Sequence, residues 1–319
     1  IDSMCAVGDE DQSIYSWRGA TVANMLKFQT DFAPVTTVKI EQNYRSVQPI
    51  LQAANDVIAN NTMRNPKELW STRTASNRIL RLTCGSGDQE AETIASVVQL
   101  ISAKSGQPDI AILYRTHYQS RSIEEALIHK AIPYKIVGGI RFYERKEIKD
   151  LLAHLRLVVN PFDKISLLRI INVPARGLGE KFEEDLLKIW QQQPFMDFKQ
   201  VLTFMTSDPE TALTPTKKKA VASFLQLYAA INPDDSPSII LKQIIHQIEY
   251  NSYLNAAYDL QEAQAKQENV QEFIQAIDIF EQKHANITGL LESFLHEVSL
   301  LQESADKDEQ ATPAVLMMT

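Results

Sequence analysis

Cysteine is scarce: Cys5 and Cys84 are the two in 319 residues, without the density of a disulfide scaffold or the spacing of a metal site. That scarcity suits a reducing compartment, and the expected location is cytoplasmic. No run of about 18 apolar residues occurs, which excludes a helical membrane span, so no membrane partner is expected. The opening Ile1-Asp2-Ser3-Met4 lacks the basic stretch and apolar core of a secretory leader. His129, His154, His246, His284 and His296 share no ligand spacing, so no metal-binding residues are expected. A phosphate loop of the form GxxxxGK[ST] is missing altogether. The chain begins without Met in what reads as a strand, and it closes on the uncapped apolar run Ala314 to Thr319, so both ends are expected to cut through structure.

What is present is globular: 44% hydrophobic and 23% charged residues, at a length that suits two or three domains. The net charge of -8 argues against nucleic acid only until its distribution is read. From Asp259 to Thr319 there are 12 Asp and Glu against 3 Lys and Arg, whereas Arg115 to Lys149 holds 8 Lys and Arg against 4 Asp and Glu. An acidic end therefore masks a basic middle.

Periodicity predicts a strand, a polar turn, a helix from about Thr21 to Phe32 and a strand at Val35–Ile40. A helix follows behind Ser46 as cap candidate, with Ile50, Leu51, Ala54, Val57 and Ile58 on one face. Next come a β-rich run at Arg78–Cys84, a helix at Glu90–Ser102, the apolar strand Asp109–Tyr114, a helix at Ser120–Lys130 and a strand at Tyr134–Val137. Alternation at this spacing predicts a parallel sheet covered on both faces. From Glu144 to about Glu303 the pattern is helical, broken near Pro161, Pro174, Pro215, Pro233 and Pro237, and Val315–Met318 reads as a strand returning to a sheet.

Five strings carry the chemistry: GDEDQSIYSWRGA from Gly8, EQNYRS from Glu41, AILYR from Ala111, GGIRFYERKEIKD from Gly138 and NVPARGLGEK from Asn172. In this order and spacing they resemble the UvrD/Rep/PcrA family of superfamily 1 DNA helicases, over nearly the whole chain and most densely up to about Phe182. The resemblance implies part of an ATP-dependent 3′-to-5′ DNA helicase and translocase acting in DNA repair or replication. ATP and Mg²⁺ would be cofactors of the full-length protein, and single-stranded and duplex DNA its partners. The implied fold class is α/β plus all-α, an incomplete RecA-like parallel α/β domain with a large helical insertion domain. Residues 1–40 would end the first RecA-like motor domain and 41–139 begin the second. Residues 140–308 would form the insertion, facing duplex DNA and open to protein partners, and 309–319 would return to the second motor domain.

By the same resemblance Gln12 and Arg45 are catalytic. Gln12 would sense the terminal phosphate of ATP, a role an amide suits because it both donates and accepts. Tyr44 would stack on adenine, and Arg45 would reach the γ-phosphate with an always-charged, bidentate guanidinium. Tyr15 and Trp17 stand two apart, so in an extended segment they face one way and could stack successive bases, with Arg18 on a phosphate or base face. Arg115 matches a contact to single-stranded DNA, although His117-Tyr118 departs from the Asn-Ala usual in relatives. Arg176, Gly177, Leu178, Gly179 and Lys181 match a loop that holds duplex DNA by its backbone, where glycines allow close approach to a helix start. Without a phosphate loop the isolated chain is expected to bind no cofactor and to leave ATP intact. The alternative is a non-catalytic DNA-binding or protein-docking module descended from a helicase.

Overall fold

The computed structural model describes residues 4–13, 21–75, 78–105, 109–208, 211, 213–285, 287–308 and 315–319. They belong to two compact units, Ile1–Thr83 and Cys84–Thr319.

In the first unit a 3-10 turn at Glu10–Gln12 precedes helices α1 (Ala23–Asp31) and α2 (Gln48–Ile58). Helix α2 starts after extended Val47 with a proline in its first turn, where a missing N–H costs nothing. Ser46 does not cap it. Instead the Asn43 side chain accepts from the backbone N–H of Arg45 at 2.9 Å and of Ser46 at 2.7 Å, an Asx turn one step earlier. The strands expected at Val35–Ile40 and Arg78–Cys84 do not form among the described residues. A strand requires a ladder partner, and here Val38, Ile40, Leu80 and Leu82 stand in solvent. One parallel bridge, Gln42 with Trp70, is the β pairing described in this unit.

The second unit opens with α3 (Gly87–Ser105), β1 (Ile110–Leu113), α4 (Ser120–His129) and β2 (Tyr134–Ile136). Strand β3 (Val315–Met318) lies between β1 and β2 and runs parallel to both, pairing Ile110 and Tyr134 with Val315 and Ile112 and Ile136 with Met317. One face of this sheet is sealed by Ala91, Ala95 and Val98 of α3 and by Ile123 and Leu127 of α4. The opposite face is open: Ala111 and Lys135 are exposed, as are Leu113 and Leu316. Coverage of both faces was the expectation; α3 and α4 instead pack against each other on one side.

Between β2 and β3 the described chain is helical: α5 (Lys146–Val159), α6 (Lys164–Ile170), α7 (Glu180–Gln192), α8 (Phe198–Ser207), α9 (Pro215–Ala229), α10 (Pro237–Gln247), α11 (Tyr250–Ala257), α12 (Leu260–Lys283) and α13 (Leu290–Asp308). Their core is aromatic and aliphatic, with Trp190, Tyr250, Phe142, Phe182, Phe198, Phe224 and Phe273 sealed from solvent, each such burial being worth roughly 2–3 kcal/mol. Helix α5 runs through the middle, with Leu151, Leu152 and Leu155 fully buried. Among the described residues no helix is long and apolar enough to cross a membrane.

A buried polar network joins the sheet-covering α4 to this helical core. Arg121 pairs with Glu125 at 2.8 Å and with Glu272 of α12 at 2.6 Å. Arg145, at the start of α5, donates to Asn269 of α12 at 2.7 Å and to the Ser120 hydroxyl at 2.8 Å. Asn269 in turn donates to Glu147 at 2.6 Å. Burial pushes the Glu124 carboxyl up, against the hydrogen bond from Ser120 and the nearby Arg145 charge.

Candidate nucleotide and DNA contact residues

The acidic turn of the first unit is built around Asp9. Its carboxylate caps the 3-10 turn by accepting from the Asp11 N–H at 3.1 Å, and its other oxygen accepts from the Gln12 amide at 2.6 Å. Lys67 donates to the same Asp9 carboxylate. Burial works against that charge, but the Lys67 hydrogen bond and the Gln12 amide outweigh it, so Asp9 stays below the usual carboxylate range. Arg64 grips Asp11 with two parallel bonds of 2.9 and 2.7 Å, and the Asn65 N–H donates to Glu10 at 3.0 Å. Gln12 is exposed, and its carbonyl oxygen makes no hydrogen bond among the described residues.

Tyr44 and Arg45 sit on the Asx turn made by Asn43. The Tyr44 ring is 73% exposed, its hydroxyl donating to Gln42 at 2.9 Å. Arg45 is exposed, and its guanidinium has no hydrogen bond or ion pair among the described residues. The backbone under it is held: Arg73 donates to the Tyr44 carbonyl at 3.1 Å and to the Arg45 carbonyl at 2.7 Å. A free cation on a fixed backbone is an arrangement for meeting an anion. Tyr15, Trp17 and Arg18 lie outside the described residues.

In the second unit Arg115 is exposed just past the carboxyl end of β1, the edge at which open parallel sheets bind ligands. Its N–H and that of Thr116 both donate to the Gln119 side chain at 3.0 Å, and Arg145 donates to the His117 carbonyl at 3.0 Å. The loop Arg115–Gln119 is thus fixed from both sides.

The loop before α7 divides its labour. Leu178 is fully buried and plugs the helical core, while Gly177 and Gly179 on either side are exposed. A Cβ added at either glycine would meet nothing within 4 Å, so the protein's own packing does not demand them; Gly177, at φ +73°, needs glycine for its backbone. Gly179 begins α7 with no side-chain cap, and Lys181 is exposed beside it. Arg176 turns inward: its Nη1 donates to the carbonyls of Ile170 and Val173 at 3.0 and 2.9 Å, and its guanidinium lies 5.4 Å from the centre of the Phe224 ring. The Asn172 side chain accepts from the N–H groups of Arg176 and Leu178 at 2.7 and 3.2 Å.

The sequence-based set mixes outward-facing groups such as Arg45, Arg115 and Lys181 with Leu178 and Arg176, which the structure turns inward, and it omits the supports Asn43, Arg64, Lys67, Arg73 and Asn172. One signal was available: the basic pair in Arg64-Asn65-Pro66-Lys67 is the charge complement of Asp9-Glu10-Asp11. Asn43 stands two and three residues ahead of the N–H groups it holds and Asn172 four and six, short spacings common to ordinary turns.

Residues 38–319 match the model of the UvrD-like helicase C-terminal domain, and residues 2–33 that of the UvrD/REP helicase N-terminal domain. Among curated proteins the chain is 39% identical over 320 residues to the ATP-dependent DNA helicase PcrA of Bacillus subtilis, covering 97% of this chain and 42% of that protein. It is 36% identical over 332 residues to the ATP-dependent DNA helicase UvrD1 of Mycobacterium tuberculosis, covering 99% and 43%, and 36% identical over 319 residues to a probable DNA helicase II homolog of Rickettsia conorii, covering 99% and 48%. The chain spans less than half the length of these relatives. On this evidence the chain belongs to the UvrD-like helicase family.

Proposed function

We propose that this chain is part of an ATP-dependent DNA helicase that translocates 3′ to 5′ on single-stranded DNA, in repair or replication in the cytoplasm. In this reading residues 1–40 and 41–139 contribute to two RecA-like motor domains. Residues 140–308 are a helical insertion facing duplex DNA and accessible to protein partners, and the segment 309–319 returns the chain to the second motor domain. The observation that carries the proposal is Arg45, whose guanidinium has no hydrogen bond or ion pair among the described residues, on a pinned turn beside the exposed ring of Tyr44.

ATP, when bound, supplies the free energy of phosphoryl transfer. Tyr44 offers a flat face for a base, Arg45 neutralises charge on phosphate oxygens, and Gln12 keeps its carbonyl oxygen available to accept from a water while its amide is held by Asp9. For Mg²⁺ the residues here do not fit. Asp9 and Asp11 are engaged by Lys67 and Arg64, and among the described residues no group of three His, Cys, Asp or Glu is placed to hold a metal. Mg²⁺ therefore enters only as a cofactor of the full-length protein, held by other residues. Arg115 and the loop Gly177–Lys181 serve as DNA contacts, with Leu178 and Arg176 setting the loop's shape from inside, and Tyr15, Trp17 and Arg18 complete the single-strand set.

In the full-length protein Arg45→Ala is expected to abolish DNA-stimulated ATP hydrolysis while leaving single-strand affinity within about twofold, since the residue acts on phosphoryl charge. Retained turnover would refute the reading. The chain by itself, lacking a phosphate loop, is expected to hydrolyse no ATP.

A further inference from the structure

The segment Arg64 to Arg73, RNPKELWSTR, has one residue in β pairing and no helix, yet it is bonded along its length. Its first four residues clamp the acidic turn: Arg64 holds Asp11, Asn65 holds Glu10 and Lys67 holds Asp9. Its last four clamp the other turn. The Trp70 carbonyl accepts from the Asn43 N–H at 2.7 Å, the Ser71 N–H donates to Gln48 at 2.8 Å, and Arg73 reaches the carbonyls of Tyr44 and Arg45. In between, Asn55 of α2 fixes Leu69 from both sides, accepting from its N–H at 3.2 Å and donating to its carbonyl at 2.9 Å. An irregular segment has no ladder of its own to hold it, so these bonds determine where it lies. They tie one end to the turn that carries Gln12 and the other to the turn that carries Arg45.

The linkage to Gln12 is direct. Asp9 holds the Gln12 amide, and Lys67, with its side chain only 14% exposed, holds Asp9. Removing Lys67 leaves Asp9 to be repositioned by water, and Gln12 with it.

We propose that residues 64–73 act as a positioning splint for nucleotide chemistry, Lys67 setting Gln12 through Asp9 and Arg73 setting the backbone of Arg45, so that the two groups keep one spacing. The inference rests on reading Gln12 and Arg45 as nucleotide contacts. Lys67 and Arg73 are positioning residues and touch no substrate.

The test is DNA-stimulated ATP hydrolysis by the full-length protein. Lys67→Met is expected to lower kcat about tenfold with KM for ATP and single-strand affinity within about twofold, the signature of lost orientation. Lys67→Arg should recover most of the loss. On a Gln12→Ala background Lys67→Met should have almost no further effect, because both changes act through one group. Arg73→Gln, at an exposed position, should lower kcat in the same way with KM for ATP and single-strand affinity within about twofold, and Arg73→Lys should recover part of the loss. Wild-type turnover in Lys67→Met and Arg73→Gln, or a Lys67→Met loss that adds in full to that of Gln12→Ala, would overturn the splint alone. Wild-type turnover in Gln12→Ala and Arg45→Ala would overturn the functional reading and the splint together.

Discussion

His154 offers a quantitative test of the helical core. It lies on α5 and is 1% exposed; its Nδ1 is 2.7 Å from the Tyr228 hydroxyl, and the two rings stack with centres 6.0 Å apart. Burial, reinforced by the positive charge of Arg176, lowers its pKa from 6.5 to about 3. The ring is therefore neutral, and its Nδ1 shares a hydrogen bond with the tyrosine hydroxyl. Between those two pH values the unfolded chain binds a proton that the folded chain refuses, so stability rises with pH across the window. It is lost, as pH falls, at up to about 1.4 kcal/mol per pH unit. From pH 7 to pH 5 an unfolded imidazole becomes almost fully charged, and this one group should cost about 2 kcal/mol. Glu124 and Asp150, whose carboxyls burial pushes up, act in the opposite direction, so the measurement must be a difference. Urea unfolding of this chain, followed by its helical signal at pH 7 and pH 5, should show a stability loss about 2 kcal/mol larger in wild type than in His154→Gln. Gln can donate to or accept from Tyr228 and does not titrate. An equal pH dependence in the two proteins would refute the claim that a neutral, sealed imidazole sits beneath the Arg176 loop.

Two further predictions separate fold from contact. Gly179→Asp places a favoured capping residue at an N-cap with extended backbone and open space. Stability to urea should hold or rise by a few tenths of a kcal/mol, while a duplex-DNA titration of the full-length protein shows weaker binding, from a carboxylate set against phosphate. Arg121→Met leaves Glu125 and Glu272 without their cation, and the urea midpoint should report a loss of about 3–5 kcal/mol, the cost of breaking a buried ion pair from one side.

What could be read in advance followed from pattern length. The helices from α5 to α13 announce themselves because an apolar face repeated over many turns has one cheap solution, and the apolar tetrapeptide Val315–Met318 pairs as a strand. Val35–Ile40 interleaves apolar and polar residues in β fashion but has no ladder partner among the described residues, a property of its neighbours that lies outside the segment itself. At the candidate site, exposed groups such as Arg45 and Gly179 were legible because nothing in the fold requires them. The family resemblance makes Arg176 a DNA contact, whereas backbone carbonyls before α7, those of Ile170 and Val173 among them, draw it inward. Such a demand is set by tertiary geometry and leaves no periodic trace.

The middle position of β3 has a consequence for biosynthesis. Tyr134 and Val315 are register partners on neighbouring strands, separated by about 180 residues of chain. At a ribosomal rate of about 5–20 residues per second, the outer strands wait roughly 10–40 seconds for the strand that joins them. Over that interval β1 and β2 present bare backbone edges, and the helices between them can collapse on their own short-range contacts first. A nascent chain whose Val315 has not yet emerged would therefore carry helices packed on their own contacts and an unzipped sheet, the state in which a holding chaperone would find its grip.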